Sequence, residues 1–221
     1  MAFWRRQSAS VDEEGRGLGL PAGARHYRAF VGPPDKYDLV AAMQFNLLTH
    51  LGLREHHKLL DIGCGSLRAG RLFIPYLLAG KYYGLEPDRW LLNEGVNREI
   101  GRDLIKLKQP VFDHNEEFDL TVFGCQFDFI LAQSIFSHAS PGQISRCLKK
   151  AREVMHRESK FCATYVPGAA CYHGSEWLYP ECVTYTQARI LQWTAEAGVS
   201  ATPLQWPHPN QQVWLLITKP G

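Results

Sequence analysis

The residues with the clearest chemical meaning stand in 59–70, LLDIGCGSLRAG, where a carboxylate, Asp61, precedes two glycines one residue apart, Gly63 and Gly65. Glycines so spaced let the backbone approach a ligand closely, in a turn that follows an apolar strand. A dinucleotide site would need a third glycine, and Arg68 breaks that fingerprint. Asp61 would repel a pyrophosphate but attract a ligand carrying positive charge. Glu86 ends the next apolar run, YYGLE, where an acid can accept both hydroxyls of a ribose. Together the two acids ask for a ligand with an amino group and a ribose.

A second set of residues could move a proton. His138 lies in AQSIFSHAS and His208 in WPHPNQ, and each could act as a general base near neutrality, with His173 a third possibility. The stretch 167–185, PGAACYHGSEWLYPECVTY, is long for a connection and dense in aromatics. It is expected to cover a substrate, with Tyr172, His173, Trp177, Tyr179 and Tyr185 as binding residues. AQSIFSHAS offers no clustered carboxylates, so no metal is expected. The six cysteines form no C-x-x-C pair and no close Cys/His quartet, and read as reduced thiols. Cys64 is a small residue that fits between the two glycines.

These residues need elements to hold them. Leu39, Val40, Met43, Leu47, Leu48 and Leu51 recur at helical spacing over 36–51, and Gly52 supplies a stop. KLLDIG, YYGLE, LIKLK, FDFILAQ and KFCATYV read as strands, separated by helices over 66–80, from Asp88, from Pro141 and over 187–197. The helix at Pro141 carries the strongest start signal: Ser140 as N-cap, Pro141 at the first position and Gln143 closing a capping box. TPLQW and QVWLLIT, joined around PHPN, imply a closing hairpin. The alternation predicts an α/β fold, a doubly wound, mostly parallel seven-stranded sheet with an antiparallel strand from that hairpin. The ligand should then lie beyond the carboxyl ends of the strands, at the switch point beside the first strand.

The chain has 221 residues, 45% of them hydrophobic, enough for the core of one domain. Residues 1–24 have little apolar patterning and are expected to form a flexible tail, leaving 25–221 as a single domain. The 24 basic and 22 acidic residues are interspersed, so no basic stripe points to nucleic acid. Neither a signal-peptide core nor a run of about eighteen apolar residues occurs, and a cytoplasmic protein is expected.

The ordered set resembles the class I S-adenosylmethionine-dependent methyltransferases, whose first motif is similar to LLDIGCGS and whose second strand ends in an acid, as in YGLEPD. DLTVFGCQFDFILAQS is similar to the stretch in which an Asp-Leu pair holds the adenine and FD opens the fourth strand. The resemblance covers about residues 36–221. It implies a Rossmann-like methyltransferase with S-adenosyl-L-methionine as cofactor and S-adenosyl-L-homocysteine as product. Asp61, Gly63, Cys64 and Gly65 would lie near the methionyl amino group, Glu86 and Pro87 at the ribose, and Asp119 and Leu120 around the adenine. Asn115 and Glu116 are rivals for that last role. Gln133 would line the methionine side, Arg68 would pair with the cofactor carboxylate, and Tyr37, with 25–38 as a wall, would lie near the cofactor. QSIFS departs from the D/N-P-P-Y/F loop of nucleobase amine methyltransferases. That departure argues against DNA and RNA adenine as acceptors, and the expected reaction is O-methylation of a small hydroxylated molecule. The alternatives are N-methylation of a small molecule or peptide, and a non-catalytic cofactor-binding module.

Overall fold

A computed structural model describes residues 15–220. Seven strands follow one another across the sheet in the order β3-β2-β1-β4-β5-β8-β7, and an eighth short strand, β6, pairs with β5. These are β1 (Leu59–Ile62), β2 (Tyr82–Leu85), β3 (Val111–Asp113), β4 (Phe127–Ala132), β5 (Met155–Pro167), β6 (Thr184–Tyr185), β7 (Ser200–Leu204) and β8 (Val213–Thr218). β1 pairs in parallel with β2 and β4, while β8 runs antiparallel to β5 and β7. The chain thus winds outward from β1 to β3 and returns to β4, placing the switch point between β1 and β4.

Alternation along β1 sorts its side chains. Leu60 and Ile62 join the core under α5 (Pro141–Glu153) and α6 (Gln187–Glu196). Leu59 joins the opposite core, under α1 (Tyr37–His50) and α2 (Gly70–Tyr76). α5 starts as its sequence demands: Gln143 N–H donates to Ser140 Oγ, and Ser140 N–H donates to Gln143 Oε1 at 2.9 Å.

LIKLK is a correction. It is helical, within α4 (Arg102–Lys108), and the third strand follows at Val111. Gly101, at φ 84°, turns the chain out of α3 (Arg89–Gly95) and its π-helical extension through Ile100, and Gln109, at φ 49°, ends α4. Leu104 and Ile105 then pack side by side on the α1/α2 core, and Lys108 Nζ donates to the Leu77 carbonyl. The helix over 66–80 is shorter than expected, because Leu67 takes φ 60° and Leu77 turns extended.

Residues 1–14, most of the expected tail, lie outside the described residues. Residues 17–24 turn back on the domain, with Gly23 N–H donating to the Ala29 carbonyl at 2.8 Å. No described helix is long and apolar enough to cross a membrane.

Candidate active site

A cleft of about 780 Å³ opens beyond the carboxyl ends of β1, β2 and β4, within the usual size of small-molecule sites. Its floor is the turn after β1, where Gly63 and Gly65 take φ 70° and 56°. Side chains are barred there on two grounds. The backbone is left-handed, and a Cβ at Gly63 would sit 2.2 Å from Ile135 Cδ1. Gly65 would meet Val31 in the same way, at 2.7 Å.

Two acids stand at this floor. Glu86 closes β2 and takes Gly65 N–H on Oε2 and Asp88 N–H on Oε1, both at 2.9 Å. Burial nevertheless pushes its carboxyl up to about 7, against those two donors. Asp61 faces a small recess beside the cleft, with Cys64, Arg68 and Gln133. It accepts the Tyr82 hydroxyl at 2.7 Å, and burial raises its pKa to about 6 despite that bond and the nearby Arg68 charge. Both groups are desolvated acids whose ionised form a cationic or hydroxylated ligand would stabilise.

Arg68, early in the turn toward α2, donates to the Val31 carbonyl at 2.6 Å and to Gln133 Oε1. It links the floor to a strap, residues 22–36, of which Phe30, Val31 and Pro33 line the cleft. Arg28, paired with Glu99 at 2.6 Å, pins the strap to the body. Behind Gln133 lies His208. Its Nδ1 accepts Asn210 N–H and its Nε2 sits 3.2 Å from the Gln133 amide nitrogen. Burial, with Arg68 and Lys36, pushes its pKa down to about 4. His208 does not line the cleft; it backs a residue that does.

His138 does line it. Nδ1 meets two carbonyls, Leu178 at 3.0 Å and Glu181 at 2.7 Å, and carbonyls only accept. The proton of the neutral ring is therefore on Nδ1, and Nε2 carries a lone pair with no protein partner among the described residues. Burial lowers the pKa, which keeps the ring neutral near pH 7. Trp177 and Tyr179, both lining the cleft, flank the ring at 5.7 and 4.9 Å between centroids.

Several expected site residues lie elsewhere. Tyr37 is in the core, its hydroxyl donating to the Ser66 carbonyl and its ring under Arg28 and Arg71. Asp119 caps the short helix Leu120–Phe123 by accepting Thr121 N–H, and Leu120 is wholly buried in the α5/α6 core. The cleft is lined there by Asn115, Glu116 and Phe118. Asn115 folds that loop, accepting the N–H of Glu117 and Asp119 on Oδ1. Tyr185 is buried with its hydroxyl on the Ala139 carbonyl at 2.7 Å, Tyr172 packs against the same core, and His173 is exposed outside the cleft. Pro87 lines the cleft beside Glu86. Ile135, Asn210 and Gln212 also line it, and nothing in their local sequence marks them.

Residues 60–161 match the family described as "Methyltransferase domain". No curated protein matches the chain. Among solved structures, the chain is similar to a magnesium protoporphyrin IX methyltransferase from Synechocystis PCC 6803 with bound S-adenosylmethionine (15% identity, 96% of this chain and 92% of that one, TM-score 0.61). It is also similar to an S-adenosylmethionine-dependent methyltransferase from Clostridium acetobutylicum ATCC 824 (12%, 88% and 99%, TM-score 0.63). A third is a glycopeptide N-methyltransferase complexed with S-adenosylmethionine (9%, 81% and 94%, TM-score 0.62). The matched segment marks residues 60–161 as a methyltransferase domain, and the strand order gives the chain the fold of the S-adenosylmethionine-dependent methyltransferases to which it is similar.

Proposed function

We propose that residues 25–221 act as one domain that binds S-adenosylmethionine in this cleft and methylates an oxygen of a small hydroxylated acceptor, without a metal. The residues present fit the cofactor. Gly63 and Gly65 line the cleft with left-handed backbone that leaves no space for a side chain against Ile135 and Val31. The acid in the recess suits an ammonium, and the acid ending β2 suits vicinal hydroxyls. When bound, the cofactor supplies a methyl group on a sulfonium, transferred by in-line displacement.

The rest of the work falls to the chain. Asp61 and the Gly63–Gly65 backbone would hold the amino end, Glu86 the ribose hydroxyls, and Asn115 with Phe118 the adenine side. Trp177 and Tyr179 would lie against the acceptor. His138 would take the acceptor proton on Nε2, while the Leu178 and Glu181 carbonyls hold Nδ1–H and favour the imidazolium that forms. That fixed tautomer is the observation that supports oxygen transfer, since a hydroxyl must lose its proton as the carbon–oxygen bond forms.

The test is incubation with methyl-labelled cofactor and a panel of sugars, phenols, amines and peptides, read by mass analysis. Label on a phenol or sugar oxygen is the expected result. Label on an amine would replace oxygen with nitrogen as the target, and tight cofactor binding without turnover would make the protein a binding module.

A further inference from the structure

We propose that Tyr179 and Arg68 together clamp the carboxylate of the cofactor's methionyl end, which makes Tyr179 a cofactor-binding residue and joins the two halves of the cleft. The inference rests on the cofactor reading above. Arg68 has three N–H groups beyond those given to Val31 and Gln133, both uncharged acceptors, and makes no ion pair among the described residues. Arg68 is desolvated, its hydrogen bonds go to neutral acceptors, and Asp61 is the carboxylate in its recess, so its remaining N–H groups would take an anion from a ligand. The Tyr179 hydroxyl is buried and has no hydrogen-bond partner among the described residues. It lies within electrostatic reach of Arg68, and its ring is wedged between Phe30, at 5.4 Å, and His138, at 4.9 Å. The hydroxyl therefore cannot swing out to water.

Two unsatisfied donors on one cleft call for a shared acceptor, and a carboxylate can take both. Asp61 and Arg68 line the same small recess. A ligand bearing an ammonium and a carboxylate on one carbon, as the methionyl end does, would meet both at once. Because the Tyr179 ring also rests on His138, a bound cofactor would hold the acceptor wall in place.

The test is calorimetric titration of S-adenosylhomocysteine and of its decarboxylated analogue. Tyr179→Phe should weaken the first by about tenfold to a hundredfold, the scale of one hydrogen bond to a charged group, and leave the second unchanged. Arg68→Lys, which keeps the charge but loses the planar fork, should also weaken only the first. Undiminished affinity of Tyr179→Phe for S-adenosylhomocysteine overturns the clamp. So does a rise confined to the acceptor KM, which would assign the carboxylate to the acceptor. Wild-type protein that binds neither ligand overturns the cofactor reading itself and the clamp with it.

Discussion

On the β1/β2 side of the cleft, the polar groups stand on the strands and are held within the sheet: Glu86 by the N–H groups of Gly65 and Asp88, and Asp61 by the hydroxyl of Tyr82 on β2. On the far side, His138 is held by the carbonyls of a loop, Leu178 and Glu181, and its neighbours Trp177 and Tyr179 come from that same loop. The first wall depends on the sheet, and its shape follows from the fold. The second depends on a loop that can be rebuilt while the sheet stays the same. The groups proposed for the cofactor thus stand mainly at the sheet ends and those proposed for the acceptor on the loop, with Tyr179 the one residue proposed to serve both.

The separation can be broken experimentally. His138→Ala should lower turnover by about a hundredfold or more, the usual scale for loss of a general base, with cofactor affinity kept. In the wild type at saturating cofactor, kcat/KM for the acceptor should rise with pH to a midpoint below the ordinary histidine value and then level off, because burial lowers the His138 pKa. Glu86→Ala acts on the other wall. It should weaken S-adenosylhomocysteine by about tenfold to a hundredfold in calorimetry, since the ribose acceptor and the anchor of Gly65 are lost together. Tyr185→Phe should touch neither wall. It should cost about 1–3 kcal/mol in denaturant unfolding, by leaving the Ala139 carbonyl unpaired, while KM for the acceptor stays put. Asp119→Ala should leave cofactor affinity unchanged, because the Asp119 carboxylate is bonded to Thr121 and does not line the cleft.

The difference between the walls also explains what the sequence reveals. Strand-end residues are legible because alternation and turn glycines locate the ends: Asp61, Gly63, Gly65, Glu86 and Gln133 all come to the floor or its recess. The capping box likewise marks the start of α5. LIKLK misleads because two adjacent apolar residues followed by Leu107 suit a short helix as well as a strand, and only packing on the α1/α2 core decides. The aromatics of 167–185 look alike in sequence. Trp177 and Tyr179 reach the cleft while Tyr185 enters the core, since β6 pairs with β5 and carries Tyr185 inward. Asn115 and Phe118 line the cleft where Asp119 does not, an outcome of hydrogen bonds local to the loop that no spacing rule records. His208 reaches only the back of Gln133, a relation across 75 residues that the sequence does not display.

The central claim is that desolvated Asp61 and Glu86 receive the amino and ribose groups of the cofactor. Their carboxyls, raised by burial to about 6 and about 7 in the free protein, must ionise to do so, and binding should pull both pKa values down. Affinity should therefore be full above pH 7 and fall as pH drops through 7 and then 6. The direct measurement is the dissociation constant of S-adenosylhomocysteine from pH 8 to pH 5, in wild type and in Asp61→Asn. The wild type should weaken by roughly tenfold or more across that range, and Asp61→Asn should bind more weakly at pH 8 with a shallower dependence. A flat wild-type profile, or an Asp61→Asn profile that coincides with it, would contradict the account.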